Sequence, residues 1–368
     1  MHLKQLILTN FKNYESQSVD LSARLNCFVG RNGMGKTNLL DAVYYLCMCK
    51  SRFIANDRAV MQRGADFFRL EGHFEREEKH EKIVAKVIPR KLKDIERNDV
   101  RYKRLIDHIG LLPVVMVAPD DTMIAREGSE ERRRFLDNTL SQSDPLYLQH
   151  LVAYNRLLRQ RNTLLKQLGA ERRRDENLIA VFDAQMQEPA AYIVKTRQQF
   201  SEKFTPVLRE NYKAISEDRE DIDCVYQSKL LTENFSDLLT ETREKDYILQ
   251  RTTVGIHKDD LGFKIDAHSL KVFASQGQLK SFILALKLAQ YEFLRREKGV
   301  APLLLLDDIF DKLDRHRVRG LVKLILDGKY GQTFITDTDE SRLQDILEDA
   351  GSDYKLFTVS EGQVRNPD

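Results

Sequence analysis

At 368 residues the chain is longer than a usual single domain, so two lobes or one domain with an insertion is expected. Apolar residues make up 42%, enough for a sizeable core, and the charged share of 32% suits long solvated helices or a large polar face. The net charge of +2 excludes a global basic field, so any contact with nucleic acid must come from local clusters of Lys and Arg.

The cysteines and the N-terminus indicate the compartment. Cys27, Cys47, Cys49 and Cys224 form neither a zinc-binding spacing nor a disulfide framework. The chain starts in a strand pattern without the apolar segment of a signal peptide, and no run of about eighteen apolar residues predicts a membrane span. A reduced, cytoplasmic protein without membrane contact is therefore expected.

The first chemical motif lies at residues 30–37, which read GRNGMGKT and fit the P-loop pattern G-x-x-x-x-G-K-[ST]. The preceding residues 25–29 predict a short buried strand, and the apolar spacing over 36–49 predicts a helix. A strand, a glycine turn and a helix bring backbone N–H groups and a helix N-terminus together. A polyphosphate binds at such a place.

Each residue type in this motif has a chemical reason. Gly30, Gly33 and Gly35 allow strained dihedrals and close approach of the backbone to the phosphates. Lys36 is expected to reach the β- and γ-phosphates and to act in catalysis, and the Thr37 hydroxyl is expected to be a Mg²⁺ ligand. A chance match is the alternative, and the flanking strand and helix make it improbable.

An antiparallel β lobe is predicted next, with strands over 67–74 and 82–88. Residues 90–104 then carry Arg and Lys at seven positions. A solvated face is the favoured interpretation of such a run, and a contact with the DNA phosphate backbone is the alternative. A further buried strand is predicted at 112–117.

The middle of the chain has a helical pattern. Asp144 as N-cap and Pro145 at the first position predict a helix that Gly169 ends. A second helix is predicted from about 176 to 212, with Pro189 and Pro206 as breaks or kinks. The two helices indicate an antiparallel arm that is too short and too interrupted for a long coiled coil.

The last third carries the remaining motifs. Residues 300–306 predict an apolar strand that ends in Asp307 and Asp308, the form of a Walker B motif. Asp307 is expected to hold Mg²⁺, and Asp308 is expected to orient or polarise the attacking water. Ser275 and Gly277 begin a strongly helical run and predict a second anion site, although an ordinary N-cap has the same pattern. The segment 311–314 follows the Walker B motif, and a strand at 334–336 ends in polar residues.

The order of these motifs predicts an α/β fold. Lys36 and Asp307 lie much farther apart than in a compact nucleotide domain, which indicates a large insertion between two halves of one sheet. The expected architecture is a P-loop ATPase head, with a mixed sheet flanked by helices and an antiparallel β lobe, and an inserted helical arm. The head is assigned to residues 1–120 and 250–368, and the arm to 121–249.

A P-loop, a Ser-x-Gly-Gln helix start, a Walker B motif and a following Leu-Asp occur in this order in ABC-type ATPases. More narrowly, the chain resembles the RecF family of bacterial recombination and gap-repair proteins, which are SMC-like ABC ATPases. The segments that carry this resemblance are 11–14, 30–38, 132–137, 154–156, 160–162, 255–260, 275–278 and 305–308.

The resemblance implies a head-to-tail pair of ATP sites across a two-fold dimer, each closed by the Ser275 helix start of the other subunit. Asp314 would lie at the same dimer seam. It also implies binding to duplex and gapped or single-stranded DNA, and work with RecR, with RecO indirectly, and with RecA loading. The implied nucleotide-binding residues are Lys12, Gly30, Arg31, Asn32, Gly33, Met34, Gly35, Lys36, Thr37, Asn38, Ser275, Gly277, Gln278 and Asp314.

Two departures from the wider ABC pattern indicate slow hydrolysis. Asp308 stands where many ABC ATPases have Glu, and Thr336 or Asp337 stands where a switch His is common. ATP is therefore expected to act mainly as a dimerisation switch, with weak DNA-stimulated turnover. The alternatives are the ATPase subunit of an ABC transporter or another P-loop enzyme such as a small-molecule kinase. A transporter subunit usually lacks such an arm, and a kinase has no use for the 275–278 segment.

Overall fold

The computed structural model describes residues 1–216, 220–309, 330–341, 343 and 354–365. The strands are β1 (His2–Phe11), β2 (Tyr14–Asp20), β3 (Leu25–Val29), β4 (Phe68–Arg76), β5 (Lys79–Ile88), β6 (Leu92–Arg97), β7 (Val100–Arg101), β8 (Val114–Val117), β9 (Ile222–Gln227), β10 (Asp260–Ile265), β11 (His268–Ser269), β12 (Leu303–Asp307), β13 (Thr333–Asp337), β14 (Tyr354–Ser360) and β15 (Gln363–Arg365).

The α-helices of the described residues are α1 (Lys36–Met48), α2 (Asp57–Val60), α3 (Met123–Arg126), α4 (Ser129–Ser143), α5 (Pro145–Ala170), α6 (Glu176–Ser216), α7 (Phe235–Glu241), α8 (Arg243–Leu249), α9 (Leu270–Phe273) and α10 (Gln276–Lys298). In the described ranges, no helix combines the length and the apolar content that a bilayer span requires. The chain divides into two compact units, Met1–Asp121 with Lys280–Asp368, and Thr122–Leu279.

The first unit contains two sheets. One is antiparallel, in the order β2-β1-β4-β5-β6-β7, and the other is mixed, in the order β15-β14-β3-β13-β12-β8. In the mixed sheet, β8, β12, β13, β3 and β14 run parallel, and β15 is antiparallel at the edge. The predicted mixed sheet and antiparallel lobe are both confirmed.

Helix α1 packs against strands of both sheets. Of its 13 residues, 11 are buried, and Leu39, Leu40, Val43 and Leu46 belong to the same apolar cluster as side chains of the two sheets. A helix that is covered on all sides needs apolar residues on all sides, which explains why its sequence shows little amphipathic contrast. The P-loop therefore continues into a helix that is held rigidly in the core.

Gln332 connects the two sheets. Its side-chain carbonyl accepts a hydrogen bond from the backbone N–H of Leu3 at 2.7 Å, and its amide group donates to the carbonyls of Leu3 and Ser22, both at 2.7 Å. The side chain is buried, so these bonds satisfy polar atoms that would otherwise be costly.

The second unit contains the helical arm. Helix α5 begins at Pro145 with Asp144 as N-cap, as predicted, and its last residue is Ala170. Helix α6 runs through Pro189 and Pro206 without a break, so of the predicted breaks or kinks the breaks are wrong. Pro189 is buried, so its packing compensates for the hydrogen bond that a proline removes, whereas Pro206 is exposed and its neighbours Phe204 and Val207 are buried.

Two buried arginines join the arm to the segment that follows it. Arg161 of α5 pairs with Asp183 of α6 and Asp246 of α8, both at 2.7 Å, and donates to the Thr252 hydroxyl at 2.8 Å. Arg197 of α6 pairs with Asp259 at 2.9 Å and donates to the carbonyl of Ile256 at 2.9 Å. Removing one partner of such a pair would leave a buried charge uncompensated.

These contacts explain why the predicted boundary at 249 is wrong and the arm is not wholly helical. Residues 250–279 belong to the second unit, where β9 pairs with β10 in an antiparallel sheet with β11. Ile222, Cys224 and Tyr226 are buried at alternate positions of β9. This period of two was available in the sequence and is typical of a half-buried strand.

Candidate nucleotide-binding site

The P-loop, the Walker B carboxylate and the polar end of a third strand meet at one edge of the mixed sheet. The P-loop follows β3, and Asp307 is the last residue of β12. Strand β13 lies between them, with Thr336 in register with Asp307 on one side and with Phe28 on the other. Since these strands are parallel, their carboxyl ends lie at the same edge of the sheet, the usual position of a ligand site in such folds.

The P-loop backbone depends on glycine at two points. Gly35 has φ 114° and is the N-cap of α1, and a Cβ there would lie 2.5 Å from the side-chain nitrogen of Asn13. A Cβ at Gly30 would lie 2.3 Å from the carbonyl oxygen of Val359. Neither position accepts a larger residue without a shift of the neighbouring chain.

The start of α1 is suited to an anion. Within this described stretch, no side chain caps the helix and no acidic residue lies in its first turn. The N-terminus of a helix carries a partial positive charge and N–H groups that point along the axis. The ammonium group of Lys36 donates to the carbonyls of Gly30 and Arg31, which holds this cation against the beginning of the same loop.

Asp307 receives two hydroxyl hydrogen bonds on one oxygen. Thr37 Oγ1 donates to Asp307 Oδ1 at 2.9 Å, and Thr336 Oγ1 donates to the same atom at 2.8 Å. The Thr336 hydroxyl also accepts from the backbone N–H of Asp308 at 3.0 Å. The structure therefore brings Thr37, Asp307 and Asp308 together, as expected for these sites, and adds Thr336 as the residue that orders them.

Burial raises the pKa of Asp307, and the hydrogen bonds from Thr336 and Thr37 oppose this effect. The side chain is 3% exposed. A carboxylate whose folded pKa is raised is protonated more readily in the fold than in the unfolded chain. Its ionised form therefore lowers the stability of the fold as the pH rises through the folded pKa.

We expect Asp307→Asn to raise the unfolding midpoint of the nucleotide-free protein at pH 7, because it removes a buried charge and keeps an oxygen for both hydroxyls. The difference should shrink as the pH falls toward the ordinary range of an Asp. The same change should weaken Mg²⁺-dependent ATP binding at least about tenfold, since loss of even an outer partner of a metal ligand costs about 10–100-fold. Thermal unfolding from pH 4 to 8 and titration of ATP with and without Mg²⁺ measure both effects. A lower midpoint at pH 7, or unchanged Mg²⁺ dependence, would contradict this assignment.

Asn13 and the C-terminal hairpin support the loop and were missed as site residues. Asn13 donates to the carbonyl of Met34 at 3.0 Å and accepts from Asn38 at 2.7 Å, while the Tyr14 hydroxyl donates to the carbonyl of Gly35 at 3.0 Å. The backbone N–H of Gly362, in the turn between β14 and β15, donates to the Met34 carbonyl at 3.3 Å. The polar pair at 13–14 was visible in the sequence, but its partner in the loop was not.

Lys12 lies in a different environment from the one that its predicted nucleotide contact suggests. Its ammonium group pairs with buried Asp41 of α1 at 2.7 Å and lies over the Phe53 ring at 5.5 Å from the centroid. Asp41 also accepts from Ser51 and from the backbone of Arg52. These contacts give Lys12 a role in fixing α1, and its contact with a nucleotide stays a prediction.

The predicted second anion site forms a capping box in the second unit. The backbone N–H of Ser275 donates to the Gln278 side chain at 2.7 Å, and the backbone N–H of Gln278 donates to the Ser275 hydroxyl at 3.2 Å. The Gln278 amide also donates to Glu220 at 2.9 Å. Gln278 therefore shapes the helix start, while Ser275 is exposed and Gly277 is half-buried. Asp314 lies outside the described residues.

The predicted strands beside the basic stretch are confirmed as β4 and β5, and β6 and β7 extend the same sheet. Four of the seven basic residues of 90–104 have carboxylate partners: Lys93 with Asp57, Arg97 with Glu81, Arg101 with Asp94, and Arg104 with Asp107. This pairing favours the solvated-face interpretation for those four. Arg90, Lys91 and Lys103 are exposed, so a phosphate contact would depend on them.

The fold and this site define a class, the P-loop ATPase heads of the SMC type. The model of the RecF/RecN/SMC N-terminal domain matches residues 2–363. The Smc head domain of Pyrococcus furiosus has a similar fold, with a TM-score of 0.58 at 16% identity over 99% of this chain and 95% of that one.

Closer relatives narrow the class. The DNA replication and repair protein RecF of Bacteroides thetaiotaomicron is 44% identical over 99% of this chain and 98% of its own length. That of Flavobacterium johnsoniae is 42% identical over 98% of this chain and 100% of its own length. A solved structure of the recombination mediator protein RecF with ATP, in the RecFOR pathway, has a TM-score of 0.90 at 29% identity, covering 100% of this chain and 98% of that one. The chain belongs to the RecF family, which confirms the resemblance seen in its motifs.

Proposed function

We propose that this chain is an ATP-gated DNA-binding protein of recombinational gap repair. The observation that carries the proposal is the contact between Thr37 of the P-loop and Asp307 of the Walker B strand, whose oxygens lie 2.9 Å apart. The two motifs, far apart in sequence, thus form one site for a nucleotide. The RecF relatives, named for DNA replication and repair, and the RecF structure with ATP support this nucleotide and this cellular process.

Mg²⁺ fits the same oxygens. Mg²⁺ prefers hard oxygen ligands and usually takes only one or two from the protein, together with phosphate and water. The Thr37 hydroxyl and the Asp307 carboxylate would hold it, and it would neutralise charge on the β- and γ-phosphates. Asp308, whose backbone is fixed by Thr336, would orient the attacking water.

ATP in this proposal acts as a dimerisation switch. Two copies close head to tail in the cytoplasm, each P-loop meeting the Ser275 helix start of the other, and the closed pair holds duplex DNA near a single-stranded gap. Slow, DNA-stimulated hydrolysis releases the pair. RecR, with RecO acting indirectly, would connect this clamp to the loading of RecA.

Sizing by light scattering, with and without ATP and Mg²⁺, tests the proposal. The expected result is a shift from the mass of one 42.9 kDa chain to twice that mass with ATP, and a further shift with duplex or gapped DNA. ATP binding with no change of mass at any protein concentration would contradict the switch. Dimers that form but retain no DNA would contradict the clamp.

The basic stretch provides a separate prediction on DNA. Arg90→Glu together with Lys91→Glu should weaken retention of duplex DNA, because both changes remove a positive charge that could contact a phosphate. Each lost phosphate contact lowers the slope of log affinity against log salt by about one. A fall of about two in the slope of log affinity against log salt is expected. Lys166→Glu with Lys195→Glu, exposed on the arm, makes the same change in net charge and serves as control. An unchanged slope in the first variant would assign Arg90 and Lys91 to a solvated face.

A further inference from the structure

The helical arm has a groove on one side of its two long helices. Helices α5 and α6 are antiparallel neighbours, as the pairing of Arg161 with Asp183 and of Arg197 with Tyr147 shows. A groove of about 520 Å³ lies between them, and its sides include Arg156, Arg159 and Gln160 of α5 and Leu178 and Phe182 of α6.

The arginines of this groove differ from four other arginines of the second unit. Arg161, Arg174, Arg197 and Arg243 each pair with at least one carboxylate. Among the described residues, neither Arg156 nor Arg159 has a carboxylate partner, and no acidic side chain lines the groove. Within the part of the chain that the structure describes, Arg159 makes a backbone contact alone, from Nε to the carbonyl of Asn155 at 3.2 Å. The groove therefore has two positive charges that its own walls do not neutralise.

The neighbours of Arg156 and Gln160 in the sequence make contacts that stabilise the fold. The Tyr154 hydroxyl contacts His257 at 3.0 Å, and Asn162 accepts from the backbone of Thr252 at 2.7 Å. Arg161 is fully buried in its ion pairs. Arg156 and Gln160 are exposed and face the groove, so the nucleotide site and the core of the arm leave them unused.

The floor of the groove is apolar. Leu164 and Phe182 are half-buried, and Leu178 is 42% exposed. Val181, next to Phe182 on α6, is 50% exposed and extends the apolar surface. An apolar floor with unneutralised guanidinium groups at its side is complementary to an occupant that offers large apolar groups beside carboxylates.

We propose that this groove is a docking site for an acidic segment of another protein, which places an apolar side chain over Leu178 and Phe182 and its carboxylates against Arg156 and Arg159. Guanidinium groups bind carboxylates in a bidentate geometry, so the contact is directional as well as charged. Duplex DNA would satisfy the charge, but its phosphate backbone places no apolar group against the floor. The proposal is independent of the nucleotide site.

The test uses a phage-displayed library of random dodecapeptides selected on the full-length protein. Clones are counter-selected on the double variant Arg156→Glu with Arg159→Glu. The expected peptides combine Asp or Glu with Phe, Leu or Ile. By fluorescence anisotropy, a synthesised member should bind the double variant and Leu178→Asp at least tenfold more weakly than the unchanged protein. Lys166→Glu with Lys195→Glu, charge-matched and outside the groove, should stay within twofold.

Unchanged thermal unfolding and ATP binding in the groove variants would show that the loss is local. The proposal is overturned if the selection yields no acidic, apolar peptides, or if such peptides bind the double variant as well as the unchanged protein. It is also overturned if labelled oligothymidylate binds through Arg156 and Arg159 and displaces the peptide, since the groove would then be a single-strand DNA site. Loss of self-association in Leu178→Asp would instead assign the groove to a second copy of this chain.

Discussion

Lys36→Ala is expected to lower the affinity for ATP by at least about a hundredfold. The ammonium group would make charge-assisted hydrogen bonds to the β- and γ-phosphates, each worth about 1.5–3 kcal/mol, and about 1.4 kcal/mol corresponds to a factor of ten. In the nucleotide-free protein the group donates to the carbonyls of Gly30 and Arg31 in its own loop. The fold itself should therefore survive the change.

Titration calorimetry with ATP and Mg²⁺, together with thermal unfolding, measures this result. Lys36→Arg retains the charge with a larger, planar head and should give a smaller loss. Lys86→Ala, at an exposed position of β5 in the same unit, should leave ATP affinity unchanged. If Lys36→Ala binds ATP as tightly as the unchanged protein, residues 30–37 are not a phosphate cradle.

The local part of this site could be predicted from the sequence because the P-loop is defined by contiguous residues. Strand β3, the glycine turn and α1 occupy 25–48, and each has its own signal in composition and spacing. The Walker B strand was predictable for the same reason. These motifs share one edge of the sheet because their strands are parallel. The motifs made this strand order plausible but did not determine it.

The supporting contacts could not be predicted because their partners are distant in sequence. Thr336 reaches Asp307, Asn13 reaches Met34, and the turn at Gly362 reaches the same loop. A polar residue at the end of a strand or turn has many possible partners, and only the strand order selects one. The contacts by which Gln332 joins the two sheets could not be predicted for the same reason.

The arm shows how tertiary contacts override local signals. Pro189 and Pro206 predicted breaks in α6, yet the helix continues because its buried face packs along the arm. The boundary at 249 failed because two buried arginines anchor the following segment, Arg161 through a hydrogen bond to Thr252 and Arg197 through an ion pair with Asp259. Neither arginine stands out by composition, since charged residues usually indicate a surface.

Ser275→Arg is expected to leave ATP binding to the single chain intact and to abolish ATP-driven dimerisation. ATP binding should be unaffected because Ser275 is exposed at the start of α10 and belongs to a different compact unit from the P-loop. A bulky cation there would meet the partner's Lys36 and P-loop, and like charges across an interface cost several kcal/mol. A loss of at least about a hundredfold in dimer affinity follows from that energy.

Ser275→Ala distinguishes the effect of the added positive charge from the effect of losing the helix cap. Both variants remove the hydroxyl that accepts from the backbone of Gln278, which costs about 1 kcal/mol at a helix start. Ser275→Ala adds no bulk and should therefore weaken the dimer less than Ser275→Arg. Light scattering with ATP gives the dimer fraction, and calorimetry gives the ATP affinity. Full dimerisation of Ser275→Arg would count against a site shared between subunits.

A mixture of Lys36→Ala and Ser275→Arg chains distinguishes a shared site from one within a single chain. In a head-to-tail dimer, the intact Lys36 of one chain meets the intact Ser275 of the other, so one complete site forms. The opposite site has neither nucleotide nor Lys36, which removes the charge that Arg at 275 would oppose. ATP should therefore produce heterodimers in the mixture when neither variant dimerises alone, detectable with a different fluorophore on each chain. If each site were built within one chain, both variants would carry a defective site, and mixing would restore nothing.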